Sequence, residues 1–344
     1  MRVLTLNCGS SSLKFDVFEA MPGKKPSRAF GGSVERIGTD RAYLDTGSRT
    51  EVEAPDHRAA FAAAMTYVES SGQGTSIDAV GHRVVHGGLR LTGPSPIDDG
   101  VLAQIRQATE LAPLHNAPAL AVIEASRERF GPRLPMVASF DTAFFADLPE
   151  VAHTYALPGD LTQRLGIRRF GFHGLAHGFM VRRYAELHPG KSGAKLITLQ
   201  LGSGCSMAAC VGERPVDTSM GFTPLEGIVM ATRSGDIDPA LPLYLQEKEG
   251  LSADEVESLL NHRSGLLGLS GRWSDVRDLD KAAAGGDGPA RLALDVFYRS
   301  IVKYTGAYMA LLGGADAIVF GGGIGEHNAA LRDHVCGAFA WAGL

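Results

Sequence analysis

The sequence repeats one local pattern near its start and again beyond its middle: an apolar run, a turn of Gly, Ser and other small polar residues, and a second apolar run. The first copy covers residues 3–18, and its turn is Asn7–Ser12. The second covers residues 196–211, and its turn is Gly202–Ser206. A short polar turn between apolar runs predicts a β-hairpin. Two such hairpins, each at the start of its half of the chain, predict a duplicated fold.

Size and composition agree with two domains and narrow the function. A chain of 344 residues that is 44% hydrophobic is too long for one ordinary core. A net charge of -5 and a pI near 6.1 leave no basic face for nucleic acid. The sequence has no run of eighteen apolar residues and no signal peptide, so we expect no membrane association. Its four cysteines form no CxxC pair, which favours reduced thiols, a cytoplasmic protein and no zinc.

The turn of the first hairpin is a candidate phosphate site. Its backbone N–H groups and the hydroxyls of Ser10 and Ser12 can converge on one anion, and Lys14 adds a positive charge just beyond the turn. Taken alone, the same residues fit an ordinary hairpin turn equally well. No GxxxxGK[ST] sequence is present, and no GxGxxG lies between a strand and a helix, so P-loop and dinucleotide folds are disfavoured.

A long stretch in the second half, Asp217–Pro239, follows neither a helical nor a strand period. Loops of this length are usually functional or disordered, and this one is too apolar to be disordered. An arginine among glycines and hydroxyls is suited to holding an anion, which makes Arg233 a candidate binding residue. The alternative is a packed connector between domains.

Three further candidates lie at predicted element ends in the first half. Arg83 follows a predicted strand over Ile77–Val80. Helices are predicted over Asp99–Leu111 and Pro118–Phe130, the first ended by Pro113 and the second capped by Asn116, which places His115 in the turn between them. Asp141 follows a strand over Leu134–Ser139 and lies among aromatic residues, where an unpaired carboxylate would be costly.

Two more features lie in the second half. His173 precedes a helix that runs to about Leu187, and a helix N-terminus favours a neutral imidazole that can donate a hydrogen bond to an anion. A buried strand is predicted over Ala315–Phe320 and leads into the glycine run Gly321–Glu326. Without side chains this run could admit a nucleotide against the backbone, and it could equally allow a strand and a helix to cross closely. We expect Ser264–Ser270 to be irregular and a loop to cover Lys281–Gly288.

Seven motifs together resemble the acetokinase family, in order and over nearly the whole chain. They are NCGSSSLKF (7–15), HRVVHGG (82–88), FDTAFF (140–145), RFGFHG (169–174), DTSMGFTPLEG (217–227), TRSGDIDP (232–239) and GGIGE (322–326). The resemblance implies the fold of the acetate and sugar kinase, Hsp70 and actin superfamily: an α/β protein of two duplicated RNase H-like, actin-like domains around a nucleotide cleft. We place the domains at 1–148 and 149–344.

The resemblance also implies an activity and a set of site residues. The activity is reversible transfer of the γ-phosphoryl group of ATP to acetate, giving acetyl phosphate and ADP, with Mg²⁺ or alternatively Mn²⁺, in a cytoplasmic homodimer. By position, Asn7 matches a magnesium-associated residue; Lys14 an ATP contact; Asp141, His173 and Arg233 the catalytic residues; Arg83 and His115 the contacts to the substrate carboxylate or phosphoryl group; and Val85, Leu114, Phe172 and Pro224 the methyl pocket. Gln200, Leu201, Gly202, Ser203 and Gly204, then Asp275, Val276 and Arg277, then Gly323, Ile324, Gly325, Glu326 and His327 match the three nucleotide-contacting segments.

This chain departs from the family pattern at several of these positions. The family commonly has His, Asn and Ala in place of Gln200, Ser203 and Cys205, and Asn in place of His327. Beyond the position of Leu344 the family continues with a strand, a magnesium-associated glutamate and a final helix. The alternatives are a pyrophosphate-dependent or propionate-preferring acyl kinase, and a non-acyl ATPase of the same superfamily.

Overall fold

The computed structural model describes residues 1–71 and 76–343, with only the backbone for Pro113 and Leu114. Internal contacts divide the chain into two compact units, Met1–Phe144 and Phe145–Leu344. The division falls a few residues before the expected boundary at 148/149. Phe145 is fully buried and packs edge-on against the ring of His177, which belongs to the second unit.

The first unit is an α/β structure around one large sheet. Its strands are β1 (Arg2–Cys8), β2 (Ser12–Glu19), β3 (Ser27–Glu35), β4 (Tyr43–Asp45), β5 (Arg49–Glu51), β6 (Ala79–Val84), β7 (Ser95–Pro96) and β8 (Met136–Phe140). Its helices are α1 (His57–Ser70), α2 (Asp99–Ala108) and α3 (Pro113–Phe130), and a 3-10 helix follows at Asp141–Phe145.

The sheet of the first unit has the order β5-β4-β3-β2-β1-β6-β8-β7. β1 to β5 form an antiparallel meander, whereas β1, β6 and β8 are parallel. Alternate residues of β1, β2 and β6 are buried, the pattern of strands with one face against a core. The predicted hairpin over residues 3–18 is confirmed as β1 and β2, paired from Arg2 with Glu19 to Cys8 with Leu13.

Local sequence signals fix α1 well. Asp56 accepts a hydrogen bond from the backbone N–H of Ala59 at 2.8 Å and so caps the helix, as predicted. The strand predicted over Ile77–Val80 is too early by a few residues, because β6 covers Ala79–Val84 and includes Arg83.

The turn predicted around His115 is wrong. α3 begins at Pro113, which takes the first helical position, where a missing N–H costs little, and it continues through Pro118. His115 therefore lies in the first turn of a helix. Asn116 does not cap that helix: its fully buried side chain bonds the backbone of His86, accepting from the N–H at 3.0 Å and donating to the carbonyl at 2.9 Å.

The second unit has a smaller sheet and more helices. Its strands are β9 (Lys195–Leu201), β10 (Cys205–Val211), β11 (Arg214–Thr218) and β12 (Ala317–Gly321). Its helices are α4 (Glu150–His153), α5 (Gly159–Leu165), α6 (Gly174–Leu187), α7 (Ala240–Glu249), α8 (Ala253–His262), α9 (Gly265–Ser270), α10 (Val276–Ala284), α11 (Gly288–Leu312), α12 (Gly322–His327) and α13 (Ala329–Gly337), and a 3-10 helix covers Ala340–Ala342.

Its sheet order is β11-β10-β9-β12, with β9 to β11 antiparallel and β12 parallel to β9. This order matches β3-β2-β1-β6 of the first unit, which agrees with the duplication predicted from the two hairpins. β9 and β10 are buried along almost their whole length, and α6 and α11 pack against this sheet. A strand covered on both faces is apolar on both, and residues 196–201 are apolar except for Thr198 and Gln200.

Two predictions for the second unit are wrong. Ser264–Ser270 is not irregular, because α9 covers Gly265–Ser270. The loop predicted over Lys281–Gly288 is mostly helix, since α10 runs to Ala284 with Asp275 as its N-cap.

Candidate functional site

In the first unit, the carboxyl ends of three parallel strands bring polar side chains together. Asn7 near the end of β1 is in register with Arg83 of β6, and Arg83 is in register with Ser139 of β8. Asp141 follows directly after β8. Because ligands of open α/β sheets bind beyond the carboxyl ends of the strands, this edge is the expected place for a site.

Arg83 is held by two side chains at that edge. Its Nε and Nη2 donate to the two carboxylate oxygens of Asp141 at 3.1 and 2.5 Å, and its Nη1 donates to Asn7 Oδ1 at 2.8 Å. Asp141 is 1% exposed and Arg83 is 26% exposed. Burial opposes the charged guanidinium, but the charge and hydrogen bonds of Asp141 outweigh it and raise the pKa of Arg83. Both oxygens of Asp141 are thus committed to fixing Arg83.

The loop after β6 is pinned from two sides. The Asn116 side chain holds the His86 backbone, and the N–H of Gly87 donates to Thr142 Oγ1 at 3.0 Å. Val85, a predicted pocket residue, is buried in this loop, and His115 is half-buried in α3. The side chain of Leu114, another predicted pocket residue, lies outside the described part of the chain.

The Gly/Ser turn between β1 and β2 is tight, with the N–H of Gly9 donating to the carbonyl of Ser12 at 2.8 Å. Ser10 is exposed, and so is Lys14, because it alternates with the buried Leu13 and Phe15 on β2. These side chains are open to solvent within their own unit.

In the second unit, the backbone is strained at His173. This residue is the N-cap of α6 and has φ +57°, a left-handed conformation that non-glycine residues seldom adopt. Gly171, with φ +70°, passes so close to Phe145 and Thr218 that a Cβ there would lie 2.6 to 2.8 Å from their side chains. Strained backbone of this kind concentrates at functional sites.

His173 and Arg233 converge beside Gly204. A Cβ built on Gly204 would lie 3.2 Å from His173 Nε2 and 3.7 Å from Arg233 Nη1. Burial lowers the pKa of the Arg233 guanidinium, which still carries its charge at neutral pH. A partly desolvated cation and a ring nitrogen aimed at one point favour an anion there.

A chain of hydrogen bonds extends from His173 into the core. Its Nδ1 lies 2.8 Å from Ser206 Oγ, which lies 2.8 Å from His177 Nε2, and His177 Nδ1 lies 2.7 Å from Thr198 Oγ1. Ser206, His177 and Thr198 are fully buried. We did not predict these three residues, although the spacing of His173 and His177, one helical turn apart, was visible in the sequence.

The loop that carries Arg233 is ordered by its own contacts. Residues 219–239 contain no helix or strand, as predicted for most of Asp217–Pro239. Asp236 accepts from the N–H of Gly227 at 2.8 Å and from the hydroxyl of Tyr304 at 2.8 Å. Arg233 Nη1 also donates to the carbonyl of Pro224 at 3.0 Å. The loop is therefore a fixed frame rather than a mobile connector.

A pocket of about 780 Å³ lies in the second unit and has the size of a small-ligand site. The predicted nucleotide residues that line it are Gly202, Ser203, Asp275, Val276, Arg277, Gly323, Ile324 and His327, joined by Ala231, Ser274, Asp280, Asn328 and Ala329, which sequence reasoning missed. Asp275 caps α10 and pairs with Arg277, whose hydrogen bonds lower the pKa of the carboxyl. Two separate sequence segments and one hairpin turn thus form one pocket.

Other predicted nucleotide residues lie near the pocket but do not line it. They are Gln200, Leu201, Gly204, Gly325 and Glu326. Gly322 shows why the glycine run is needed: its φ is +75°, and a Cβ there would lie 2.3 Å from the carbonyl oxygen of Leu201.

The remaining predicted site residues are divided between the two units. The first unit contains Asn7, Ser10, Ser12, Lys14, Arg83, Val85, His115 and Asp141, and the second contains Phe172, His173, Pro224 and Arg233. Phe172 is buried and Pro224 is half-buried.

Within residues 1–71 and 76–343, no cluster of three or more His, Cys, Asp or Glu side chains could hold a metal ion. Across the same part of the chain, no helix is both long and apolar enough to span a membrane. All four cysteines of the sequence are described, and each is a free thiol.

Two α/β units of matching strand order, one with a histidine and an arginine close to Gly204 and a pocket of small-ligand size, the other with a fixed arginine, have the features of a phosphotransferase of the actin-like kinase class. The acetokinase family model matches residues 2–344, and the chain belongs to the acetokinase family. It is 44% identical to the acetate kinase of Chloroherpeton thalassium, covering 100% of this chain and 88% of that protein. A crystal structure of Porphyromonas gingivalis acetate kinase superposes with a TM-score of 0.90 at 38% identity, covering 100% and 88%. The crystal structure of a Francisella tularensis propionate kinase superposes with a TM-score of 0.92 at 36% sequence identity. The match covers 99% of this chain and 88% of that one.

Proposed function

We propose that this chain catalyses reversible transfer of the γ-phosphoryl group between ATP and acetate, giving acetyl phosphate and ADP by direct in-line displacement. Family membership and the named acetate kinases support the reaction. The observation that carries the proposal is the convergence of His173 Nε2 and Arg233 Nη1 beside Gly204, next in the chain to the pocket residues Gly202 and Ser203.

The carboxylate of acetate is itself the nucleophile. A carboxylate is ionised at neutral pH, so its attack on phosphorus requires no general base. The main barrier is the repulsion between an anion and a polyanion, which fixed positive groups reduce. In the proposed reaction Arg233 and His173 donate to the oxygens of the transferring phosphoryl group.

Arg83 is the proposed contact for the acetate carboxylate or the phosphoryl group. Its orientation is set by Asp141 and Asn7, which accept hydrogen bonds from all three guanidinium nitrogens, Nε, Nη1 and Nη2. Asp141 therefore acts as a positioning residue. We further propose that Val85, Leu114, Phe172 and Pro224 enclose the methyl group and that His115 contacts the phosphoryl group.

Mg²⁺ fits this site only in part. Among the described residues no protein cage for a metal is present, and Asn7 Oδ1 already accepts from Arg83, although an amide oxygen has a second lone pair. Such a donor set suits Mg²⁺ or Mn²⁺ that arrives on the nucleotide phosphates and keeps its waters. When bound, the ion would neutralise phosphate charge.

The pocket of the second unit is the proposed ATP site. Gly202, Ser203 and the glycine run before His327 offer backbone close to the ligand, and Asp275, the N-cap of α10, also lines the pocket. Lys14, Ser10 and Ser12 are proposed contacts to the terminal phosphates. Gln200, Ser203, Cys205 and His327 differ from the residues common in the family, so we propose that glycines and backbone groups make most of the nucleotide contacts.

The reaction is tested by trapping its product. The enzyme is incubated with Mg²⁺, acetate, hydroxylamine and either ATP or pyrophosphate, and acetohydroxamate is measured. We expect acetohydroxamate to form when ATP is the phosphoryl donor and not when pyrophosphate is. Product only with pyrophosphate, or phosphate release unaffected by acetate, would contradict the proposal.

Propionate in the same assay defines the acceptor. One methylene in an apolar pocket is worth about 1–3 kcal/mol, so we expect propionate to react more slowly than acetate. A higher kcat/KM with propionate would overturn acetate as the preferred acceptor.

We also propose a cytoplasmic location and a homodimer. The four free thiols support a reducing compartment. The homodimer is the expectation of the resemblance, and sedimentation equilibrium of the purified chain tests it.

A further inference from the structure

We propose that His177 is a positioning residue that, with Ser206 and Thr198, keeps the proton of a neutral His173 on Nε2, the nitrogen that faces the phosphoryl group. The inference rests on the proposed function, in which His173 donates to that group. Hydrogen bonds of 2.7 to 2.8 Å join His173, Ser206, His177 and Thr198 into one chain, which we call the line.

Each hydrogen bond holds one proton, and each hydroxyl and each neutral ring supplies one, so a line in which every proton is used runs in one of two directions. A third arrangement, in which the Ser206 oxygen accepts from both rings, takes the proton of the buried Ser206 hydroxyl out of the line and is therefore disfavoured. In the first, Thr198 donates to His177 Nδ1, His177 Nε2 donates to Ser206, and Ser206 donates to His173 Nδ1. A neutral His173 must then carry its proton on Nε2. In the second direction every bond is reversed, His173 carries its proton on Nδ1, and Nε2 can donate only if the ring becomes charged.

The surroundings of Thr198 favour the first direction. Its hydroxyl has one proton, and the carbonyl of Ala208, the acceptor it would serve in the reversed line, lies 3.4 Å away, compared with 2.7 Å to His177 Nδ1. Burial raises the pKa of the neighbouring Cys210 thiol to about 12, so this group adds no charge beside Thr198 at neutral pH.

The line cannot supply a charge of its own. Burial, with a smaller contribution from the neighbouring His173, lowers the pKa of His177 to about 3. The groups that face the line are His173 at the start of α6, Cys210 on β10, the ring of Phe145, and Arg233 and Cys205 beside Gly204. Burial keeps both thiols protonated, so near neutral pH the interior part of the line stays neutral.

The backbone agrees with this role. His173 is held at φ +57° at the start of α6, and His177 follows one turn later on the buried face of the same helix. The strained conformation turns the His173 ring toward the β9–β10 hairpin, where Ser206 lies. A histidine needed only for bulk would not require this backbone or a buried partner ring.

Nitrogen-15 NMR of the histidine-labelled, nucleotide-free enzyme reads the direction without any substitution. We expect both His173 and His177 to be protonated on Nε2 and unprotonated on Nδ1 near pH 7.5. Protonation of His173 on Nδ1, whichever nitrogen of His177 carries its proton, or a charged His177, would overturn the inference. This outcome is independent of the hydroxamate assay, whose failure would contradict the reaction instead.

Ser206→Ala tests the consequence for turnover. Without the Ser206 hydroxyl, His173 is free to place its proton on either nitrogen, and we expect kcat at pH 8 to fall about tenfold or more. In acid a charged His173 carries a proton on Nε2 in any case, so the ratio of variant to wild-type kcat should rise severalfold at pH 6. Taking the ratio cancels the titration of ATP.

Ser126→Ala is the matched control. Ser126 is also fully buried, and its hydroxyl donates to the carbonyl of Val122 at 2.8 Å inside α3. We expect the kcat ratio of this variant to stay level between pH 6 and 8. A level ratio for Ser206→Ala as well, with the His173 proton still on Nε2, would show that the line has only a structural role.

Discussion

Asp141 is the residue for which structure and chemistry give the most definite role. A general base must direct a lone pair at the proton it removes, whereas both carboxylate oxygens of Asp141 are oriented toward Arg83 and accept from it. The carboxyl is also 1% exposed. Its position therefore favours orientation of the guanidinium over proton transfer.

Asp141→Asn separates these two roles. We expect kcat/KM to fall about a hundredfold, because Arg83 loses a charged bidentate partner and its placement loosens. The shape of the pH–rate profile should remain that of the wild type. Loss of an acidic limb from the profile would identify Asp141 as a base.

Asp16→Asn is the control for that substitution. Asp16 is also an arginine-paired aspartate of the first unit, but its partner Arg28 is 56% exposed and the pair lies at the surface. Turnover of this variant should equal that of the wild type.

Gly204→Ala places a methyl group where the phosphoryl oxygens are proposed to bind. The added Cβ would lie 3.2 Å from His173 Nε2 and 3.7 Å from Arg233 Nη1. We expect kcat to fall about 10- to 100-fold while the thermal midpoint changes little. At Gly193 a Cβ would meet nothing within 4 Å, so Gly193→Ala should be silent. Equal activities of the two variants would contradict the proposed anion position.

At the scale of elements, α3 shows how a tertiary contact overrides local signals. Pro113, Asn116 and Pro118 together suggest a helix boundary, and the helix nevertheless runs through them. The buried Asn116 side chain makes two hydrogen bonds to the His86 backbone, a partner thirty positions earlier. The two buried hydrogen bonds outweigh the preference of asparagine for a cap position.

Asn116→Ala removes both hydrogen bonds to the His86 backbone. We expect the free energy of unfolding to fall by about 2 kcal/mol or more, measured by urea denaturation, because these groups lose their partners in a buried loop. Asn261→Ala, which removes one bond from Asn261 to the carbonyl of Glu257 at an exposed helix end, should change stability by less than about 0.5 kcal/mol. Similar losses in both variants would show that Asn116 contributes only helix propensity.

Elements with local signals were predictable, and elements that depend on distant contacts were not. Both Gly/Ser hairpins and the Asp56 cap follow from neighbouring residues. α9 and most of α10 were missed because both helices are short and α9 contains two glycines. Arg83 and Asp141 were found at strand ends, but Ser206, His177 and Thr198 read as ordinary core residues until the fold aligned them.

At the scale of the whole molecule, each unit keeps buried histidines that couple stability to pH. Burial lowers the pKa of His82 to about 3 and of His86 to about 4 in the first unit, and of His177 to about 3 in the second. The unfolded chain takes up these protons below about pH 6.5. It therefore binds more protons than the folded state, and stability that is complete above pH 6.5 is lost as the pH falls toward the folded values.

We expect the free energy of unfolding to fall by about 1.4 kcal/mol per pH unit for each of these histidines between about pH 6 and 5. Urea denaturation across that range measures the slope. His82→Gln should flatten it, and substitution of the exposed His262 by Gln should not. A stability that is level or rises toward pH 5 would contradict the prediction.

The duplicated fold assigns the two proposed anion-holding arginines to different units, Arg83 to the first and Arg233 to the second. If both act on one transition state, removing either one should abolish most of the stabilisation that the pair supplies. Arg83 and Arg233 are thus proposed to act together on one phosphoryl transfer.

A double-mutant cycle of Arg83→Ala and Arg233→Ala, read as kcat/KM for acetohydroxamate formation from ATP and acetate, tests that claim most directly. Each single variant should lose about 10²- to 10³-fold, and the double variant only slightly more. Arg183→Ala, which breaks an exposed ion pair with Glu186, should leave the rate unchanged. Near-wild-type turnover of either active-site variant, or losses that multiply fully in the double variant, would contradict the account.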